Sequence, residues 1–173
     1  MPEHAAAMVG LARARRIAKA DVPLIDLPEA SREKDRFLSK AEAKRLLKAA
    51  RDYDHDHPSE PDQAFLYCAI GLLTGARPNV IEKLTWDRVD LNANTIDFRR
   101  GQRTGKKEYG GTRIAIELAP ILAKARARAK NDFVLGTPKA MAYIFGVICA
   151  AASIKGATPN TLRHTWATWA VGD

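Results

Sequence analysis

Hydrophobic and polar positions along the chain recur mainly with the period of an α-helix. Ser39 and Glu42 form a capping box, and behind it Ala43, Leu46 and Ala50 fall on one helical face. A second segment, from about residue 62 to residue 73, is apolar on all sides, which is typical of a buried helix. The pattern predicts two packed helices separated by a polar loop over residues 52–58.

Four further helices are predicted, three of them from helix-start signals. Proline is well tolerated at the first helical position, because the N–H that it lacks would have no acceptor within the helix there. Pro78 therefore opens a third helix just after Thr74-Gly75 ends the second, Thr137-Pro138 opens one that runs to about Ile154, and Thr158-Pro159 opens the last. Residues 120–130 form another helix, with its charged side chains directed outward.

Two segments alternate as strands do. Residues 95–98 and 112–118 predict the strands of an antiparallel hairpin, joined by a basic, glycine-hinged loop over residues 101–111. Residues 133–135 form a short apolar run and are a candidate third strand. The predicted fold class is α+β, mostly α-helical with one small antiparallel sheet.

The composition is that of a globular protein. The chain has 173 residues, 46% hydrophobic and 28% charged. It contains no apolar run near the ~20 residues that a membrane span requires, and its start lacks the layout of a secretory signal. We therefore expect a cytoplasmic protein with no membrane contact.

Several residues that could carry chemistry are expected to be structural. Cys68 and Cys149 lie in apolar helical stretches and are predicted to be buried thiols. The three tryptophans also have apolar helical neighbours and are expected in the core: Trp86, Trp166 and Trp169. His55 and His57 stand beside aspartates, but no further ligand cluster lies nearby in sequence, which favours a solvated loop over a metal site.

The positive charge is concentrated in one window. The formal net charge is +8, and residues 99–130 hold ten basic and two acidic side chains, so the rest of the chain is neutral on balance. Such a field attracts a phosphate backbone and favours a nucleic-acid partner. The alternative is a solvated basic hairpin and helix with no ligand.

Two arginines stand in unusual settings. Arg77 follows the buried helix at the mouth of the next one, and Arg163 lies in a helix that is otherwise largely apolar. A guanidinium never loses its charge and therefore needs a partner. Structural salt bridges would satisfy each arginine separately, whereas a bidentate clamp on a phosphate would use both together.

Two motifs resemble the conserved boxes of the tyrosine recombinases, the phage integrase family. Residues Thr74–Pro78, followed by Leu84–Asp90, are similar to the first box, and Thr158–Thr168 resembles the second, usually written His-x-x-Arg-His. The basic hairpin lies where the family carries its catalytic lysine. The resemblance implies an integrase catalytic domain over residues 34–173, incomplete at its C-terminal end. It also implies that residues 1–33 are the tail of an N-terminal core-binding region plus linker.

The resemblance implies a chemistry that needs neither metal nor nucleotide cofactor. A tyrosine attacks a phosphodiester of double-stranded DNA, forming a 3′-phosphotyrosyl link and freeing a 5′-hydroxyl. Arg77 and Arg163 would hold the non-bridging oxygens of that phosphate, and Lys106 would protonate the leaving oxygen, with Lys107 and Arg103 as alternatives. Further DNA contacts are expected from the hairpin residues Arg99, Arg100, Arg103, Lys107 and Arg113. Family members act as homotetramers on DNA, in DNA recombination and integration by phages and mobile elements, which implies a bacterial or phage-encoded protein found on the nucleoid.

Three departures from the family pattern bear on activity. Asn160 stands where the second box has its first histidine, and Val80 where many members have a glutamate; His164 matches the pattern and is expected to support the fold. The four tyrosines all precede the second box, so we expect no nucleophile in this chain and no cleavage. The alternatives are a non-catalytic DNA-binding remnant of an integrase and a helical protein-interaction module.

Overall fold

Six α-helices, one short 3₁₀ helix (Trp86–Arg88) and a three-stranded sheet form the described part of the chain in the computed structural model. The described residues are 36–58, 62–98, 112–136 and 140–172, so the predicted core-binding tail, residues 1–33, and the hairpin loop, residues 101–111, lie outside them. The helices are α1 (Lys40–Asp56), α2 (Gln63–Thr74), α3 (Pro78–Ile81), α4 (Leu118–Arg128), α5 (Ala142–Ala151) and α6 (Pro159–Gly172). The strands are β1 (Val89–Asp90), β2 (Thr95–Ile96) and β3 (Thr112–Arg113).

Helix α1 begins at the predicted capping box. The Glu42 N–H donates to Ser39 Oγ at 3.2 Å, and the Ser39 N–H donates to Glu42 Oε2 at 2.9 Å. The helix continues to Asp56, through most of the segment predicted as a loop, so that prediction was wrong. The reason is the buried Asp54, whose carboxylate accepts the N–H groups of Ala64 at 2.9 Å and Phe65 at 2.8 Å and so caps α2.

Helix α2 is the centre of the core, as its uniformly apolar sequence predicts. Eleven of its twelve residues are buried, and it packs against α1, α4 and α6. It ends at Gly75, which has φ +63° and donates its N–H to the Gly71 carbonyl at 3.1 Å. The end of this helix positions the first of the two predicted boxes.

The antiparallel pairing of the two predicted strands is confirmed, but both strands are shorter than predicted, since they end at Ile96 and Arg113, and Leu118 already begins a helix. The third strand is not the predicted one. Strand β2 pairs on one side with β3 and on the other with β1, in the order β1-β2-β3. Residues 133–135 lie outside this sheet, where Phe133 forms an isolated antiparallel bridge with Thr85. Their backbone is bonded elsewhere, because the Val134 N–H donates to the Leu84 carbonyl at 2.9 Å.

The helix that follows this region begins later than Thr137-Pro138 predicts. Helix α5 begins at Ala142, after the fully buried Met141, whose N–H donates to Glu82 Oε1 at 3.0 Å. This long-range bond fixes the start of the helix. Helix α6 begins with Pro159 at its first position, as predicted.

The burial predictions are confirmed for both cysteines and for Trp86, and only in part for Trp169, which is half-buried against the core. Cys68 and Cys149 are buried free thiols, and Trp86 is buried. Trp166 is 39% exposed, so its assignment to the core was wrong, although its ring packs against the backbone of Gly75. The α+β class, mostly helical with a small antiparallel sheet, is confirmed.

Candidate active site

The loop after α2 turns sharply and leaves Arg77 exposed. Thr74 Oγ1 donates to the Ile70 carbonyl at 2.7 Å and accepts the Ala76 N–H at 3.2 Å, which braces the turn. Gly75 supplies the left-handed conformation, and Arg77 is extended (φ −68°, ψ 141°) before Pro78 starts α3. The first box therefore presents a guanidinium to solvent from a rigid turn at the end of a buried helix.

Helix α6 packs directly onto two glycines of this region. A Cβ at Gly71 would lie 2.7 Å from Leu162 Cδ1, and a Cβ at Gly75 would lie 2.4 Å from Cε3 of the Trp166 ring. Both distances are far below van der Waals contact, so a larger residue at either position requires the Leu162 or the Trp166 side chain to move. The second box is thus pressed against the first by its apolar side chains.

Arg163 connects the two boxes. Its Nη1 donates to the Gly75 carbonyl at 2.6 Å. Because Gly75 precedes Arg77 by two residues, this bond ties the arginine of the second box to the loop that carries the arginine of the first. The side chain is exposed, and its partner is a neutral carbonyl rather than the carboxylate of a structural salt bridge. The guanidinium therefore keeps its full positive charge and its remaining N–H donors for an anion.

The other predicted residues of the second box lie on the same helix. Asn160 is exposed in the first turn of α6, one turn before Arg163, and the two share a face by their spacing of three. His164 is half-buried, and its carbonyl accepts the Thr168 hydroxyl at 2.9 Å. The partial burial of His164 is what a structural role would require.

Of the six hairpin cations predicted to act on DNA, one lies within the described residues and five lie outside them. Arg113 is exposed on β3. The other cations lie outside the described residues, and their predicted roles stay predictions: Arg99, Arg100, Arg103, Lys106 and Lys107. The structure thus places the two arginines of the boxes and leaves the general acid as a prediction.

The basic face of α4 is partly occupied by internal contacts. Arg128 Nη1 forms a salt bridge with Asp62 Oδ2 at 3.0 Å, and the Arg126 guanidinium lies 5.3 Å from the centre of the Trp86 ring. Lys124 and Lys130 are exposed. The contacts of the two arginines favour a solvated helix over a DNA-contacting one for this segment.

The histidines of the predicted loop have local contacts. His57 stacks on Tyr53, with ring centres 4.1 Å apart, and His55 Nδ1 lies 3.3 Å from Asp56 Oδ1. Across the described ranges, no group of three or more His, Cys, Asp or Glu side chains is arranged to hold a metal ion. Nor does any helix in those ranges combine the length and apolar character of a membrane span.

The described tyrosines lie away from this site. Tyr67 is fully buried in α2, where desolvation raises its pKa well above the ordinary value. Tyr53 and Tyr143 line a cavity of about 630 Å³ between α1 and α5, and neither Arg77 nor Arg163 contributes to its walls. Tyr109 lies outside the described residues.

Two solved structures resemble this chain in fold. A crystal structure of XerA recombinase aligns with a TM-score of 0.62 and 25% identity, over 78% of this chain and 50% of that one. The Tn1549 transposon integrase, in complex with transposon right end DNA, aligns with a TM-score of 0.69 and 18% identity, over 96% of this chain and 63% of that one. The chain thus spans less than two thirds of each of these structures. No protein-family model and no curated protein sequence matches it.

The fold and the two apposed boxes define the class: the chain has a tyrosine-recombinase catalytic-domain-like fold. The resemblance predicted from the boxes is confirmed at this level. The link between Gly75 and Arg163 was missed by the sequence reasoning. The signal available for it is a matching spacing, since Gly71 and Gly75 are four residues apart on one helix and Leu162 and Trp166 are four apart on the other.

Proposed function

We propose that this chain is the catalytic-domain portion of a site-specific DNA recombinase, an integrase that breaks and rejoins DNA strands for a phage or another mobile element. The observation that carries the proposal is the 2.6 Å bond from Arg163 to the Gly75 carbonyl, which joins the two arginine-bearing boxes in a recombinase-like fold. Support also comes from the concentration of positive charge in residues 99–130.

In this proposal Arg77 and Arg163 bind the non-bridging oxygens of a DNA phosphate. Negative charge grows on those oxygens as the phosphate is attacked, and guanidinium donors already in place stabilise it without reorganisation. Removal of one such donor typically costs about 3–4 kcal/mol in the transition state. Lys106 is the proposed general acid, with Lys107 and Arg103 as alternatives. The Asn160 amide donates a hydrogen bond to the phosphate but cannot act as an acid or a base.

The proposed partner is double-stranded DNA, bound mainly through its phosphates. Arg113 and the hairpin cations would extend the contact from the two arginines along the backbone. By the same resemblance, the intact protein would act as a homotetramer on DNA, with residues 1–33 as the tail of a core-binding region plus linker. The Tn1549 integrase, which shares the fold, has been captured in complex with transposon right end DNA.

We further propose that these 173 residues bind DNA without cleaving it. Tyr67 is buried, and Tyr53 and Tyr143 line a cavity to which neither arginine contributes, so no described tyrosine is placed as the nucleophile. Asn160 favours a second candidate function, a non-catalytic DNA-binding remnant, because an amide cannot transfer a proton. Both candidate functions predict that this chain binds DNA. A phosphotyrosyl adduct between the chain and a duplex that survives denaturation would contradict the proposal that it does not cleave.

Fluorescence anisotropy with a labelled duplex tests the binding proposal. We expect Arg77→Ala and Arg163→Ala each to raise Kd by about tenfold, the value of one charge-assisted hydrogen bond. Each should also make the slope of log K against log salt less steep, by less than about 0.9, because the other arginine still neutralises part of the charge on the shared phosphate. Arg128→Ala is the matched control, because it removes the same charge from a side chain already paired with Asp62. Binding that is independent of salt, or an equal fall in affinity in all three variants, would contradict the proposal.

A further inference from the structure

A short segment that leads into α1 and includes its first residue contacts the helix that carries Arg163. We call Arg36–Lys40 the lead-in segment. Its Leu38 N–H donates to Thr165 Oγ1 at 2.8 Å, and the Lys40 ammonium lies 3.9 Å from the centre of the Trp169 ring. Arg36 Nε donates to the carbonyl of Lys155, shortly before α6 begins, at 3.1 Å. The lead-in segment thus contacts α6 and the turn that precedes it.

Thr165 is the centre of this contact. It is fully buried, and its hydroxyl donates to the Thr161 carbonyl at 2.6 Å while it accepts the Leu38 N–H. Leu38 is also fully buried, so this N–H has no access to water if the hydroxyl is removed. A buried unpaired donor is unfavourable, and the segment or the helix must move to relieve it.

Helix α6 is therefore held by two sets of contacts, made by residues close to Arg163 in sequence. Leu162 and Trp166 press on the glycines of α2, whereas Thr165 and Trp169 contact the lead-in segment. Between them, Arg163 makes a hydrogen bond of 2.6 Å to Gly75. A shift of α6 by about 1 Å would lengthen that bond beyond hydrogen-bonding distance.

We propose that Thr165 is a positioning residue for Arg163: by binding Leu38 it fixes the position of α6 and so orients the guanidinium toward its anion. The inference rests on the proposed function only in taking that anion to be a DNA phosphate. It implies that displacement of the lead-in segment weakens phosphate binding without touching either arginine.

The first arm of the test reads the position of α6 without DNA. In protein labelled with ¹⁵N-glycine, Thr165→Val should move the amide resonances of Gly71 and Gly75 by more than a linewidth, because both lie beneath α6 side chains. The amide of Gly136, which has no such neighbours, should not move. Thr165→Ser keeps the hydroxyl and should restore the wild-type positions.

A milder variant covers the case in which Thr165→Val fails to fold. Lys40→Ala removes the contact with Trp169 from an exposed side chain and should move the Gly75 resonance by a smaller amount. Lys44→Ala removes the same charge from the same helix and should leave it unchanged. If Thr165→Val folds and its Gly71 and Gly75 resonances do not move, the inference is overturned. If Thr165→Val does not fold, unmoved resonances in Lys40→Ala would overturn it.

The second arm measures DNA affinity in a double-mutant cycle. Thr165→Val should raise Kd by about fivefold alone but leave Kd unchanged when added to Arg163→Ala, because the two act through one contact. An equal rise in both backgrounds would overturn the inference. A wild-type chain without salt-dependent binding would instead overturn the proposed function, and the glycine resonances would still decide the role of Thr165.

Discussion

The guanidinium of Arg163 is bonded to the carbonyl of Gly75 at 2.6 Å, across 88 residues of sequence. This bond uses one N–H donor within the protein and leaves the others in a fixed plane. An arginine can bind the Gly75 carbonyl and an anion at the same time, because its five donors lie in a rigid fork. A lysine instead has its charge on a single atom at the end of a flexible chain. The contact thus predicts that a lysine at this position cannot replace arginine.

Arg163→Lys tests that prediction. A lysine that reaches the Gly75 carbonyl cannot also present a planar pair of donors to a phosphate. We expect a rise in Kd for duplex DNA of about tenfold, close to that of Arg163→Ala, with a change in unfolding free energy below about 1 kcal/mol. Anisotropy titrations and urea denaturation measure the two quantities. Full affinity in the lysine variant would show that charge alone suffices.

Gly75→Ala should damage the junction between the two boxes. The new methyl group would meet the Trp166 ring and would also require alanine to adopt φ +63°. We expect unfolding free energy to fall by about 2–4 kcal/mol, together with weaker DNA binding. Gly156→Ala is the matched control: it has φ +67° but no atom within 4 Å of the new Cβ, and should cost only about 1 kcal/mol. Equal destabilisation at the two sites would contradict the steric explanation.

Asp54 is expected to be the most important carboxylate for the stability of the fold. Its two hydrogen bonds to the first N–H groups of α2 are buried, and desolvation raises its pKa above the usual aspartate value. Asp54→Ala should lower the unfolding free energy by about 2 kcal/mol, and Asp54→Asn by less, because the amide keeps one acceptor oxygen. Asp52→Ala, which removes only an exposed pair with Lys48, should cost about 0.5 kcal/mol. Chemical denaturation followed by circular dichroism compares the three.

Glu42 should give the stability a dependence on acid pH. The Arg36 guanidinium, bonded to it at 2.6 Å, and then the Ser39 N–H lower the pKa of this carboxyl from 4.5 to about 2. A carboxyl with a depressed pKa stabilises the fold above its unfolded pKa, and the contribution disappears as the pH falls. The difference in Tm between wild type and Glu42→Gln should therefore narrow from about pH 4.5 to about pH 2. A difference that stays constant over this range would contradict the role of the ion pair.

The elements that sequence patterns predicted correctly are those fixed by local chemistry. The Ser39 capping box, the stop at Gly75 and the starts at Pro78 and Pro159 depend on residues within one turn. The errors occur where distant partners decide. Asp54 extends α1 because it caps another helix, and Met141 delays α5 because Glu82 binds its N–H.

The candidate site shows the same division. The two boxes and their arginines were recognisable from their residues, and so was the fold that they imply. The hydrogen bond between Arg163 and Gly75 was not, because every residue has a backbone carbonyl; only the matching spacing of the two glycines with Leu162 and Trp166 signals that the two boxes pack together. The exposure of Trp166 was missed for a related reason, since an apolar helix face does not show how much of it a neighbour covers.

The fit of α6 onto Gly71 and Gly75 also constrains how this protein can vary over evolutionary time. A larger residue at Gly75 displaces the Trp166 ring unless a smaller residue stands at that position, and a larger residue at Gly71 requires the Leu162 side chain to shift or to be smaller. Substitutions at these positions should therefore occur as compensated pairs among relatives of this chain. The two boxes would then be inherited as one unit, and a chimaera that joins the first box of one relative to the second box of another should fold only when both pairs match in size.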